Sequence, residues 1–211
     1  MTVADRPAAY QVQHTEERYA GPVFAVRTDR VRLANGAVVG RDLVSHPGAV
    51  GVIALDEDDR VLLVQQYRHP PRRLLWEPPA GLLDAPDEPP EETAARELYE
   101  EAGHRARDWR VLVDVFTSPG MSDEAMRIYL ARDLTAVAEE ERFAGTEEEA
   151  DMPVAWLPLD EAVRAVLAGD LHNPATVAGV LAAAVARGRG YVGLRPADAP
   201  WPERRADISG S

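Results

Sequence analysis

In the stretch RELYEEAG, Arg96 to Gly103, the carboxylates Glu97, Glu100 and Glu101 crowd into little more than one helical turn. Residues three and four apart share a helix face, so Glu97 has Glu100 and Glu101 as neighbours. Like charges at that spacing repel, each pair destabilising the helix by about 0.2–0.5 kcal/mol. A hard divalent cation converts the repulsion into binding energy, because Mg²⁺ takes octahedral oxygen ligands from carboxylates, water and phosphate. An ion held this way polarises a phosphoryl group and lowers the pKa of an attacking water. Arg96, four residues before Glu100, is placed to pair with that carboxylate and orient it.

The elements around this stretch have to hold it still. Residues 91–102 are expected as a helix: Pro89 and Pro90 precede it, Glu91 and Glu92 fill its first turn, and Gly103 supplies its C-cap. Ala95, Leu98 and Ala102, spaced i, i+3, i+7, are expected to anchor the helix to a sheet. Upstream, the turn Ala34-Asn35-Gly36 predicts a hairpin within VFAVRTDRVRLANGAVVGRDLV. The apolar runs Val50–Leu55 and Val61–Val64, flanking acidic Asp56 to Asp59, predict a second one. Downstream, residues 109–116 and 125–134 read as strands around the loop TSPGMSDE, and MPVAWLPL as a further strand. DEAVRAVLAGD and residues 173–187 read as helices, and the acidic stretch 139–151 as a loop. Strands first, with helices interspersed and at the end, indicate a mixed α/β layered domain.

Composition narrows the functional classes. A formal net charge of −13 argues against binding nucleic acid or an anionic membrane, yet leaves room for a small phosphorylated ligand whose field a bound cation reverses. The absence of cysteine excludes disulfides, thiolate metal sites and cysteine nucleophiles. No run approaches the length of a membrane span and the N-terminal residues show no signal-peptide pattern, so a cytoplasmic location is expected.

The full segment PPAGLLDAPDEPPEETAARELYEEAGH, residues 78–104, resembles the Nudix box, G-x5-E-x7-R-E-U-x-E-E-x-G-U with U a bulky apolar residue. It departs in two places: six residues rather than five separate Gly81 from Glu88, and His104 stands at the last apolar position. The resemblance implies an α/β/α sandwich with a mixed sheet that carries the box as loop–helix–loop. It also implies hydrolysis of a nucleoside diphosphate linked to another group, dependent on Mg²⁺ or Mn²⁺. Carried over residue by residue, Glu97, Glu100 and Glu101 become metal ligands, with the backbone carbonyl of Ala80 as a further one.

The box defines chemistry and leaves the substrate to other segments. The loop Pro119-Gly120-Met121, sixteen residues and more beyond Gly103, looks like that of the ADP-ribose and ADP-sugar pyrophosphatase subgroup. In similar enzymes an arginine at the position of Arg41 grips the substrate's phosphates. QQYRHP followed by LLWEPPAG resembles the same subgroup, with Arg68 as a bidentate donor to the diphosphate and Glu77 as either a ribose contact or an ordinary surface carboxylate. Tyr67, Trp76 and Trp109 are candidates for stacking on adenine, or else for core packing. A glutamate of the loop EEEADM acts as catalytic base in similar enzymes, with Glu148 preferred here, then Glu147 and Glu149. The expected organisation is an N-terminal β arm over residues 1–46, a catalytic domain over 47–190 and a coil or tail over 191–211. In the subgroup such an arm forms an antiparallel sheet that exchanges across a homodimer, whose active site is shared between subunits. The implied reaction converts ADP-ribose to AMP and ribose 5-phosphate. Alternatives are another nucleotide sugar (ADP-glucose or GDP-mannose) and a non-catalytic ADP-ribose-sensing domain.

Overall fold

The computed structural model describes residues 3–85, 87–141, 143 and 152–204. They fall into two units: residues 3–47 with Ser118–Glu124, and residues 48–117 with 125–204. In the first, β1 (Gln11–Ala20), β2 (Ala25–Arg32) and β3 (Val38–Ser45) form an antiparallel sheet in that order. The expected turn joins β2 to β3, with the Gly36 amide donating to Leu33 O at 2.9 Å and the Ala37 amide to Asn35 Oδ1 at 3.1 Å. Threonines tie the strands together: Thr15 donates to Asp29 at 2.8 Å and Thr28 to Asp42 at 2.7 Å. The loop Ser118–Glu124 is stitched to the end of β3, where the Val44 amide donates to Met121 O at 2.8 Å and the Asp123 amide to Val44 O at 3.2 Å.

The second unit contains β4 (Ala49–Ala54), β5 (Arg60–Arg68), β6 (Arg73–Glu77), β7 (Ala80–Leu82), β8 (His104–Phe116), β9 (Ala125–Ala136), β10 (Val154–Pro158) and β11 (Arg195–Pro196). Its helices are α1 (Pro90–Ala102), α2 (Leu159–Ala168) and α3 (Pro174–Gly188). A five-stranded sheet runs β11-β8-β9-β4-β7 and is mixed, β4 lying parallel to β9; a three-stranded sheet runs β10-β5-β6. The period of two along the buried strands sorts side chains into two cores. Ile53, Leu63, Ile128 and Leu130 face Leu159 and Ala162 of α2 and Val180 and Ala183 of α3. Val52, Ala54, Leu62, Val64 and Tyr129 face Ala94, Leu98 and Ala102 of α1. Helices thus cover both faces of the sheets, the layered α/β/α arrangement expected.

Three local readings change, and two further strands emerge. The second hairpin is not a ladder: β4 and β5 meet only at the bridge Leu55↔Val61 and then enter different sheets. Every β4 residue is buried, and its edges are taken by β9 and β7. The proline-rich segment carries two strands, β6 and β7, because Pro78 and Pro79 fall between them, where no ladder needs their missing amides. On α1 the anchoring face is Ala94, Leu98 and Ala102, at i, i+4, i+8, while Ala95 is exposed. That rotation turns Glu97 inward. Finally, Arg195–Pro196 pair with β8, and Ala197, Ala199 and Trp201 pack on the α1-side core. Buried Arg127 supports this segment, donating to Asp114 at 2.8 and 3.1 Å and to the carbonyls of Ala199 and Pro200 at 2.7 and 3.2 Å.

Candidate active site

Local sequence sets α1 at its post. Pro90 starts it, where a missing amide is harmless, Glu91 and Glu92 face the positive end of the helix dipole, and Gly103 ends it in the left-handed conformation at φ 61°. The Gly103 amide donates to Tyr99 O at 2.9 Å, closing the last turn. On the inward side α1 meets β7, and two contacts fix the register of helix against strand. The Ala80 amide donates to Glu101 Oε2 at 3.0 Å. Gly81 leaves the space that Glu97 fills: a Cβ at Gly81 would sit 2.0 Å from Glu97 Oε1 and 2.6 Å from its Cγ. Any larger residue would collide with the carboxylate. The first glycine of the box is therefore required by a side chain sixteen residues later, not by backbone conformation.

Arg96 is the hub of the cluster. Its Nη1 donates to Glu97 Oε1 at 2.7 Å and to Glu100 Oε2 at 2.9 Å, and its Nε and Nη2 reach the two oxygens of Glu88 at 3.1 and 3.2 Å. Thr93, fully buried, donates to Glu88 Oε2 at 2.8 Å. The six-residue spacer before Glu88 thus leaves Glu88 docked on the arginine, since the additional residue is absorbed in the loop ahead of the helix. The hydrogen bond from Arg96 holds the Glu88 carboxyl below its ordinary range, against the opposing effect of burial. Conversely, the hydrogen bond to Glu88 raises the Arg96 guanidinium well above its usual value.

Glu88, Glu97, Glu100 and Glu101 together outnumber the one guanidinium among them, so the cluster keeps an excess of negative charge. Among the described residues no three acidic or imidazole groups are drawn together into a ready cation cage, because Glu97 and Glu100 turn oxygens to Arg96 and Glu101 turns one to Ala80. The donor set nonetheless fits a hard divalent cation: it is all oxygen, anionic in excess, and gathered against the Ala80–Gly81 backbone.

In the same unit, Arg68 and Glu77 form a bidentate pair, Nε to Oε1 at 3.0 Å and Nη2 to Oε2 at 2.7 Å. The Glu77 side chain is 3% exposed, so the surface-carboxylate alternative does not describe it. Trp76 and Trp109 pack against the two cores, and Trp109 Nε1 donates to Ala106 O at 3.1 Å; only Tyr67 of the stacking candidates stands exposed. In the other unit, Arg41 lies exposed on β3, its Nη1 donating to Gly40 O at 3.3 Å. Pro119, Gly120 and Met121 occupy the stitched loop, with the Met121 side chain exposed. Glu147, Glu148 and Glu149 lie outside the described residues.

Sequence reasoning missed the roles of Gly81 as a socket for Glu97, of Thr93 as a partner of Glu88, and of Glu77 as a partner of Arg68. The first two had a signal, since Gly81, Glu88 and Thr93 all lie within or beside the box. The third had none, because it depends on how β5 and β6 pair.

A NUDIX domain model matches residues 45–177. The ADP-ribose pyrophosphatase of Mycobacterium tuberculosis is 46% identical over 195 residues, covering 92% of this chain and 92% of that relative. The ADP-ribose pyrophosphatase of Bacillus subtilis is 34% identical over 161 residues, covering 76% and 85%, and the methanol dehydrogenase activator of Bacillus methanolicus is 37% identical over 166 residues, covering 79% and 88%. A solved crystal structure of an ADP compounds hydrolase shares the fold at a TM-score of 0.72 and 22% identity, over 90% of this chain and 100% of the other. With the box geometry in place and the family model spanning most of the chain, the chain belongs to the Nudix family.

Proposed function

We propose that this chain hydrolyses the pyrophosphate bond of ADP-ribose, giving AMP and ribose 5-phosphate. The observation that carries this reading is the similarity to the M. tuberculosis ADP-ribose pyrophosphatase across nearly the whole of both chains, with the box carboxylates intact here. Water attacks one phosphorus, the bridging P–O bond breaks, and the two phosphate monoesters depart. Glu97, Glu100, Glu101 and the Ala80 carbonyl would hold a divalent cation, Mg²⁺ or Mn²⁺, which would supply positive charge to offset that of the diphosphate.

The chain's own residues do the rest. Arg96 holds Glu97 and Glu100 in one orientation, while the Ala80 amide does the same for Glu101. Arg41 and Arg68 bind the diphosphate, and the loop Pro119-Gly120-Met121 contacts the remainder of the substrate. A glutamate among Glu147, Glu148 and Glu149, with Glu148 preferred, accepts the proton from the attacking water. The enzyme works as a cytoplasmic homodimer in this reading, its N-terminal sheet contributing to a site shared between subunits.

The test is product analysis on a panel of ADP-ribose, ADP-glucose and GDP-mannose, with and without Mg²⁺ or Mn²⁺. The expected result is cation-dependent release of AMP, fastest from ADP-ribose. Faster turnover of GDP-mannose reassigns the substrate. Tight ADP-ribose binding without turnover replaces the enzyme by a sensor.

A further inference from the structure

The Arg68–Glu77 pair has an unusual layout. In the β5–β6 ladder Glu77 stands opposite Val64, whereas Arg68 stands opposite Arg73 at the far end of the hairpin. Arg68 therefore lies back along the strands to reach Glu77, instead of projecting into solvent from the hairpin tip. Only one side of the pair is sealed: the Glu77 side chain is 3% exposed and that of Arg68 43%. The backbone under Glu77 is pinned on both sides. Buried Thr176 donates to Trp76 O at 2.8 Å, and the Val52 amide donates to Pro79 O at 2.8 Å. Pro78 and Pro79 then lead directly to Ala80, whose amide holds Glu101.

Stability does not account for this arrangement. Withdrawing a carboxylate from water is unfavourable, and because solvent reaches the 43% exposed guanidinium and screens the pair, the attraction recovers little of that cost. A bidentate fork does fix a guanidinium in direction as well as position.

Resting on the pyrophosphatase reading above, we propose that Glu77 is a positioning residue for Arg68, holding the guanidinium toward the Ala80 end of the hairpin so that it meets the substrate's diphosphate in one orientation. The sign of one substitution separates this from the alternative. If Arg68 were held by other means, the negative charge of Glu77 would only weaken the pull on an anion, and Glu77→Gln would tighten binding. If Glu77 does the holding, the amide offers Arg68 one acceptor and one clashing donor, and binding weakens because the substrate must order the arginine itself.

Steady-state kinetics on ADP-ribose, together with inhibition by inorganic pyrophosphate, test the idea in wild type, Glu77→Gln, Arg68→Lys, Arg68→Ala and the Glu77→Gln/Arg68→Ala double variant. Glu77→Gln is expected to raise KM and the pyrophosphate inhibition constant by about three- to tenfold with kcat nearly unchanged, the pattern of lost uniform binding. On the Arg68→Ala background the same substitution is expected to do nothing further. Arg68→Lys keeps both charges but loses the fork, and reproduces the rise in KM even if Glu77→Gln proves unstable. An unchanged or lower KM in Glu77→Gln, or additive losses in the double variant, overturns the proposal. If the wild type leaves ADP-ribose intact, the pyrophosphatase reading fails; direct calorimetric binding of pyrophosphate then decides the pair alone, with equal affinity in wild type and Glu77→Gln counting against it.

Discussion

Gly81→Ala adds one methyl group and is expected to disable the enzyme while leaving it folded. Gly81 is not among the residues at positive φ, so alanine meets no backbone strain there. The effect comes from the new Cβ, which would lie 2.0, 2.3 and 2.6 Å from Oε1, Cδ and Cγ of Glu97. Ordinary contact begins near 3.4 Å, so the carboxylate has to retreat by more than about 1 Å, and a misplacement of that size at a reacting centre costs about 10²-fold in rate. The retreat also breaks the 2.7 Å hydrogen bond from Arg96. That bond is charged but only partly buried, so its loss is set at the low end, about 1.5 kcal/mol, or about 3–6 °C in Tm for a chain of this size. The assay pairs kcat at saturating ADP-ribose and Mg²⁺ with thermal unfolding. Gly188→Ala, whose added Cβ meets nothing within 4 Å, serves as control. Near-normal turnover in Gly81→Ala would refute the claim that Glu97 must occupy this socket.

Three further outcomes are expected. Glu101→Gln retains an oxygen to accept from the Ala80 amide, so Tm stays close to wild type while turnover falls by orders of magnitude and Mn²⁺ binding, followed by electron paramagnetic resonance, weakens; full activity would remove Glu101 from the cation site. The Glu88 carboxyl sits below its ordinary 4.5 in the folded chain, chiefly through the Arg96 hydrogen bond, so its stabilising effect is complete above that value and is lost as pH falls through the lower folded one. The gap in urea midpoint between wild type and Glu88→Gln should therefore hold steady from about pH 7 to 5.5 and close below 4.5; a gap that widens in acid contradicts the assignment. Asp114→Ala leaves the Arg127 guanidinium, with its side chain 2% exposed, without its carboxylate, and should lower stability by about 3 kcal/mol with a change in Trp201 fluorescence, since that ring lies 4.6 Å from the guanidinium.

How much of this was legible beforehand depends on the range of the interaction. The limits of α1 are local facts, set by Pro90, Glu91 and Gly103 through missing amides, the helix dipole and a left-handed cap, and a sequence carries them completely. The same holds for the β2–β3 turn and for the oxygen-rich chemistry of Glu97, Glu100 and Glu101. The acidic turn after Leu55 misled, because hairpin chemistry states that a chain reverses, not that the two strands stay paired; burial on both faces sent β4 to β9 and β7 and β5 to β10 and β6.

Charge, donor type and helical spacing belong to residues near one another in the chain, so the oxygen-rich donor set of Glu97, Glu100 and Glu101 on one helix is legible without the fold. How those groups are held depends on packing between segments far apart in the chain. Gly81 must be small because β7 passes under α1, Ala94 rather than Ala95 faces the sheet because the helix is rotated to suit that packing, and Glu77 is buried because β6 pairs with β5. Each depends on two segments meeting, and the free energy of that meeting belongs to neither segment alone.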